Sequence, residues 1–225
     1  MKTVACLLAS LIVCCLMAVP VPADEILLGT PNVLSGGGGE VAPNFAEAEG
    51  FYLTRPILLT GINIGIFTDT GGPPNQFLFQ LVDRIGPGAT VDVLASFAVP
   101  PVRIPTCLGC IAPPYLALSL PPLTLGPDGY FLLSTEIQCS SSCGAIWDET
   151  LTTLPSTVGA IGPRFFATGS NVNSINLAAS NWSASTGIFN FQLLGTVAEP
   201  PSLILLTGAL GLFAAGLRRR RPIHP

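Results

Sequence analysis

The chain has 225 residues, 49% of them hydrophobic and only 10% charged, with a formal net charge of −4. That is ample material for one apolar core with short appendages. Lys2 is the only lysine and the balance is acidic, so there is no electrostatic footprint for DNA or RNA, and nucleic-acid binding is excluded.

Residues 1–23, MKTVACLLASLIVCCLMAVPVPA, carry a positive start at Lys2, an apolar stretch from Val4 to Val19, and small residues at Val21 and Ala23. This pattern predicts a signal peptide cleaved after Ala23. A retained membrane anchor is the competing reading, and the apolar run is short for one. Cys14 and Cys15 follow Val13 and Cys14, not the small residue a lipoprotein signal needs. Cleavage removes Cys6, Cys14, Cys15 and Lys2. Residues 24–198 then hold four arginines (Arg55, Arg84, Arg103, Arg164) against twelve acids.

The body, residues 24–197, alternates with a period of two. GINIGIF sends Ile62, Ile64 and Ile66 to one face; FLFQLVD does the same with Phe77, Phe79 and Leu81. TVDVLASF uses Val91, Val93 and Phe97, and IFNFQLLG uses Phe189, Phe191 and Leu193. Gly- and Pro-rich stretches such as DTGGPPN, GPGAT and GPDG separate the runs. Eight or nine short strands at this spacing predict an all-β fold, a two-sheet antiparallel β-sandwich.

Four cysteines remain in the body: Cys107 and Cys110 in CLGC, Cys139 and Cys143 in CSSSC. Their spacing suits zinc, but export favours disulfides. A hairpin of YLALSL and YFLLST around Pro127, Asp128 and Gly129 sets Cys110 opposite Cys139 and Cys107 opposite Cys143. Local pairing within each motif stays open, because loop length does not decide the connectivity.

The only histidine, His224, lies beyond the body, so no Ser-His-Asp, Cys-His or histidine-ligated metal site can be built there. SGGGGE lacks a following Gly-Lys-Ser/Thr and reads as a loop. IFTDTGG places Asp69 in an Asp-Thr-Gly like that of aspartic proteases, but only one copy exists where two carboxylates must share a proton; a strand-to-strand turn is the simpler reading. Asp148 and Glu149 are neighbours on a predicted strand and point to opposite faces, so they do not pair as glycosidase carboxylates. Trp147, Trp182, Tyr52 and Tyr115 are candidates for stacking on sugars, with Asp148 or Asn181 bonding hydroxyls; the competing reading places the large aromatics in the core. No cofactor and no catalytic residue is expected.

The tail, residues 198–225, joins Glu199 and Pro200 to an apolar run at about 202–217, then Arg218, Arg219, Arg220 and Arg221. As a helix the run reaches roughly 24 Å at ~1.5 Å per residue. Snorkelling arginines and Pro201 extend it toward a bilayer core of about 30 Å. Basic residues stay cytoplasmic, so the body faces outward. A GPI signal does not end in arginines, and LPSTV lacks the glycine of a sortase site and lies far from the tail.

This order resembles the PEP-CTERM sorting signal of Gram-negative bacteria, over about the last 25 residues. Val197-Ala198-Glu199-Pro200 departs from the usual Val-Pro-Glu-Pro by its missing first proline, which leaves the cut site unlocated. The resemblance implies Sec export, transient residence in the inner membrane with the body in the periplasm, and recognition by an exosortase. Transfer to the cell surface or to an exopolysaccharide or biofilm matrix follows. In the body, FYLTRPILLTGINIGIF, FLFQLVD, GPGATVDVLASF and NWSASTGIFNFQLLGT resemble the jelly-roll choice-of-anchor domains found in such proteins. That implies a non-enzymatic surface module, with carbohydrate binding through Trp147 or Trp182 the alternative and an aspartic protease using Asp69 the remote one.

Overall fold

The computed structural model describes residues 24–33, 38–41, 45–67, 75–86, 92–102, 115–138, 145–168 and 182–198. They form thirteen strands: β1 (Glu25–Gly29), β2 (Gly38–Val41), β3 (Phe45–Leu53), β4 (Ile57–Phe67), β5 (Asn75–Val82), β6 (Val93–Val102), β7 (Tyr115–Leu125), β8 (Gly129–Gln138), β9 (Ala145–Thr150), β10 (Gly159–Thr168), β11 (Ser183–Ser185), β12 (Ile188–Phe189) and β13 (Phe191–Val197). Among the described residues there is no helix. The fold is all-β, built from two antiparallel sheets.

The seven-stranded sheet runs β1-β13-β4-β9-β12, with β2 on β9 and β7 on β4; the six-stranded sheet runs β11-β10-β3-β8-β5-β6. Side chains from both form one core. Ile62, Ile64 and Ile66 of β4 and Phe191 and Leu193 of β13 meet Phe51 and Leu53 of β3, Phe79 and Leu81 of β5 and Leu132 of β8. These include the alternating sets read from GINIGIF and IFNFQLLG, and Phe79 and Leu81 of the set read from FLFQLVD, whose Phe77 side chain lies outside the described residues: a strand sends every second side chain to one face, and that face is the buried one. Val93 departs from its predicted set, lying 48% exposed on β6 at the sheet edge.

The strand count exceeds eight or nine in part because β2 (GGEV) and β11 (SAS) carry no apolar alternation and β12 has only two residues. Pairing to β9 and β10 holds them in place.

The hairpin expected around Pro127, Asp128 and Gly129 does not form. β7 pairs with β4 in one sheet, while β8 pairs with β3 and β5 in the other. The connection is a corner between layers. β8 buries Leu132, Leu133 and Ser134 in succession; a strand covered on both faces belongs inside a sheet, with a neighbour on each side. The cross-hairpin support for Cys110–Cys139 and Cys107–Cys143 is thereby lost. All four cysteines lie outside the described residues.

β6 and β7 close one side of the molecule as edge strands of opposite sheets. Pro121 and Pro122 sit in β7 where its register with β4 jumps, between the pairs Leu59–Leu123 and Gly61–Ser119. Proline cannot donate to a ladder, so an edge irregularity is where a strand tolerates it.

Candidate functional site

Polar chemistry concentrates around β9, whose sequence AIWDET alternates as a strand must. Trp147 faces the core. Its ring stacks on Phe189 of β12 with centroids 4.3 Å apart and planes 9° from parallel, and its indole Nε1 donates to the Asn190 carbonyl at 3.1 Å. Glu149 turns the same way and Asp148 the other, so the two carboxylates serve different groups of residues.

The first group lies between the sheets. On β3, Glu47 and Glu49 share the core-facing side with Phe51 and Leu53, while Ala46 and Ala48 take the outer side. Arg164 of β10 joins them through a bulge. Ile161 pairs with Phe51 and Arg164 with Glu49, so residues 162 and 163 together stand opposite Gly50 alone. That extra residue reverses the facing of everything after it. In a regular ladder of the same sequence, Arg164 would sit opposite Ala48, on the outer face. With the bulge, the guanidinium lies 4.3 Å over the Phe189 ring, pairs with Glu149 of the opposite sheet, and approaches Glu47 at 3.7 Å. Glu49 accepts the Phe189 backbone N–H at 2.7 Å. Three of the contacts therefore bridge the layers: Arg164 to Glu149, Arg164 to the Phe189 ring, and Glu49 to the Phe189 N–H.

Glu47 and Glu49 are wholly buried. Burial drives the Glu47 carboxyl up to about 8, against the pull of Arg164, with Glu149 adding a further upward push. The Glu49 carboxyl is driven to about 9 by the same loss of water, opposed by the Phe189 N–H and by Arg164. A buried carboxyl takes a proton where solvation cannot support its charge. Both acids are therefore neutral at pH 7, and the approach of Arg164 to Glu47 is an ion–dipole contact there. The ion pair of the group is Arg164 with Glu149, whose side chain is 28% exposed. Gly187, at φ 93°, leaves room beside it: a Cβ at that position would come within 2.9 Å of Glu149 Oε2.

The second group lies on the other side of β9. β13 runs along β4 as far as the Phe191–Ile64 pair, and β9 then takes over with Ile66–Trp147. Asn190 occupies the fork. Its N–H donates to the Asp148 carbonyl at 2.7 Å and its own carbonyl accepts from Gly65 N–H at 2.8 Å. Its side-chain Nδ2 donates to Asp148 Oδ2 at 3.1 Å, while Oδ1 accepts from the Thr30 hydroxyl at 2.6 Å and from Tyr115 OH at 2.8 Å. Phe191 N–H donates to Thr30 Oγ1 at 3.0 Å, and Gln192 Nε2 donates to the Thr30 carbonyl at 3.2 Å. Thr30, Asp148 and Asn190 are fully buried. Backbone groups freed where strands diverge need partners, and this network supplies them.

A third feature is an apolar groove of about 670 Å³ between edge strands β6 and β7, lined by Leu94, Phe97, Leu116, Leu118, Leu120 and Leu123 among others.

Of the residues singled out in the sequence, Trp147 is corrected as a sugar platform: it has no exposed surface, and its ring is engaged by Phe189 and by the edge of Phe79. Trp182 is half-buried beside Phe131 and Phe165, against the cluster of Ala48, Val82 and Leu133 on the outer face of the six-stranded sheet. Tyr52 is exposed, and Tyr115 belongs to the Asn190 network. Asp148 and Glu149 diverge as alternation requires. Asp69, Asn181, Glu199, Pro200, Arg218, Arg219, Arg220, Arg221 and His224 lie outside the described residues, as do the predicted signal peptide and apolar tail. Among the described residues, no His/Cys/Asp/Glu group is arranged to hold a metal ion, and no helix is long and apolar enough to cross a membrane.

Sequence reasoning missed Glu47, Glu49 and Arg164. The available signal was FAEAEGFYL itself, where two acids share the parity of Phe51 and Leu53, and an arginine directly behind Gly162-Pro163. Comparison with protein-family models, curated proteins and solved structures returned no match to this chain.

Proposed function

We propose that the chain is a non-enzymatic protein of the cell surface or extracellular matrix of a Gram-negative bacterium. In this reading Sec export removes residues 1–23, and the tail holds the body on the periplasmic side of the inner membrane. An exosortase then processes the tail near Glu199 and Pro200. The body, a jelly-roll-like β-sandwich, passes to the surface or to an exopolysaccharide or biofilm matrix, where four cysteines in disulfides would suit an oxidising environment.

The observation that carries this reading is the pairing of the first strand with the last. β1 lies antiparallel to β13 with Glu25 opposite Gly195, and Ala198 N–H donates to the Pro56 carbonyl at 3.1 Å. Both ends of the body therefore leave one pole of the same sheet. Once the signal is removed only the carboxyl end must face the membrane, and a body whose two ends share one pole can be threaded and then tethered from that pole without rearrangement.

Mass spectrometry of the protein from its host, with and without the exosortase, tests the reading. The expected mature species begins at Asp24 and lacks residues 202–217 only where the exosortase is present. A full-length, membrane-retained protein in the exosortase-containing host counts against it. So does periplasmic activity of a reporter fused after His224.

A further inference from the structure

The buried acids of β3 have a property that sorting does not use. They sit at the only point described above where charged side chains of the two sheets meet. From β10 comes Arg164, aimed inward by the 162–163 bulge; from β9 comes Glu149, its ion partner. β12 contributes the Phe189 ring under the guanidinium and the Phe189 N–H to Glu49. β8 sets Ser134 opposite Glu47 and Leu132 opposite Glu49. β2 packs Gly39 so closely that a Cβ there would lie 2.3 Å from Glu47 Oε1. Asp148 turns to the far side of β9. Among the described residues, the charged groups facing the pair are one cation, Arg164, and one further carboxylate, Glu149.

Arg164 is already neutralised by Glu149. Glu49 Oε1 and Glu47 Oε2 have no hydrogen-bond partner among the described residues, although both side chains are sealed from solvent. Among the described residues one cation, Arg164, with its Nε unpaired 3.7 Å from Glu47 Oε2, faces three carboxyls. A second or third negative charge therefore exceeds the cation available, and an uncompensated buried charge is relieved by protonation or by letting water in.

We propose that Glu47, Glu49, Arg164 and Glu149 form a proton-operated latch between the two sheets. It is closed while Glu47 and Glu49 hold their protons and it loosens the layers at this end of the core when they release them. The proton goes to solvent, the new carboxylate repels Glu149 across the interface, and water enters beside Phe189.

Trp147, stacked on Phe189, is a built-in reporter. In the full chain carrying Trp182→Phe, with the tail in detergent micelles, acrylamide quenching of Trp147 is followed from pH 6 to pH 10. Quenching is expected to be low at pH 6 and to rise with a midpoint between the values of about 8 and about 9 to which burial drives the two carboxyls. Adding Glu47→Gln and Glu49→Gln should abolish the rise. Quenching that stays flat to pH 10, or a rise that persists in the Gln variant, overturns the latch. Infrared titration of the unsubstituted chain gives a test independent of the variant's folding: the protonated-carboxyl band must vanish over the same pH range as quenching rises. Its loss below pH 6 also overturns the proposal.

Discussion

Phe189 is shared by Trp147 and Arg164: the indole stacks on it at 4.3 Å and the guanidinium carbon lies over it at 4.3 Å. One ring on a two-residue strand thus joins the apolar core to its charged interlayer group. Replacing it removes an aromatic stack, a cation–π contact and the packing of both neighbours. Phe189→Ala is expected to cost about 3–5 kcal/mol, read from chemical denaturation. Phe189→Leu should cost less, yet more than an ordinary volume-conserving swap, because the desolvated cation–π contact alone is worth about 2 kcal/mol. Equal, small losses for both variants would show that the stack contributes only volume.

Arg164→Met removes the ion pair with Glu149 and takes the cation away from Glu47. Truncating one member of a buried pair costs about 3–5 kcal/mol. The partly exposed Glu149 recovers some hydration, which places the expected loss at the lower end. Pairing Arg164→Met with Glu149→Met should recover much of it, since both charges then leave together. A double variant no more stable than Arg164→Met would argue against the pair as the source.

Deleting Gly162 tests the bulge. With one residue fewer, Pro163 alone stands opposite Gly50, the ladder becomes regular, and Arg164 stays opposite Glu49 on the core-facing side. The expected loss of stability is therefore smaller than that of Arg164→Met. A deletion that costs as much as Arg164→Met would mean that the bulge itself, and not only the facing of Arg164, is needed to bring the guanidinium to Glu149.

The pH dependence has a definite sign. Glu47 and Glu49 have folded values of about 8 and about 9 against an ordinary 4.5, so each binds its proton more tightly folded than unfolded. Their contribution is complete below about pH 4.5, shrinks as pH climbs, and is lost once pH passes the folded values. The midpoint of thermal unfolding of the native chain, relative to that of Glu49→Gln, should fall steadily between pH 5 and pH 9. Parallel curves for the two proteins would remove Glu49 from the titration.

Asn190→Leu keeps the bulk at the strand fork and removes the side-chain hydrogen bonds that Asn190 makes there. Thr30, Tyr115 and Asp148 each lose the partner that Asn190 gave them, and an unsatisfied buried group costs about 1–3 kcal/mol. The expected signature is a destabilised protein whose hydrogen exchange accelerates first at Gly65 and Phe191. Uniform acceleration across both sheets would point to a global effect instead.

Much of the core was legible in the chain. Ile62, Ile64 and Ile66, or Phe189, Phe191 and Leu193, reveal their shared face by alternation alone, because the twofold repeat of a strand is local and survives whatever the strand pairs with. The site was not legible in the same way. Glu47 and Glu49 carry the right parity, but acids on a strand ordinarily mark its wet face. Their burial depends on Arg164, which reaches them only through a bulge defined against a partner strand more than a hundred residues away.

The corner between β7 and β8 shows the same division. Pro127, Asp128 and Gly129 read as a hairpin turn, and the runs YLALSL and YFLLST on either side read as its two strands. What separates them is that β8 must be covered on both faces, which no local pattern requires. The amino-acid order determined which residues are strands, which of their faces are apolar and which signals flank the body. The tertiary structure alone decided which strands are neighbours, and hence which charges meet, because pairing is settled by burying every apolar face at once, and that condition belongs to the whole chain.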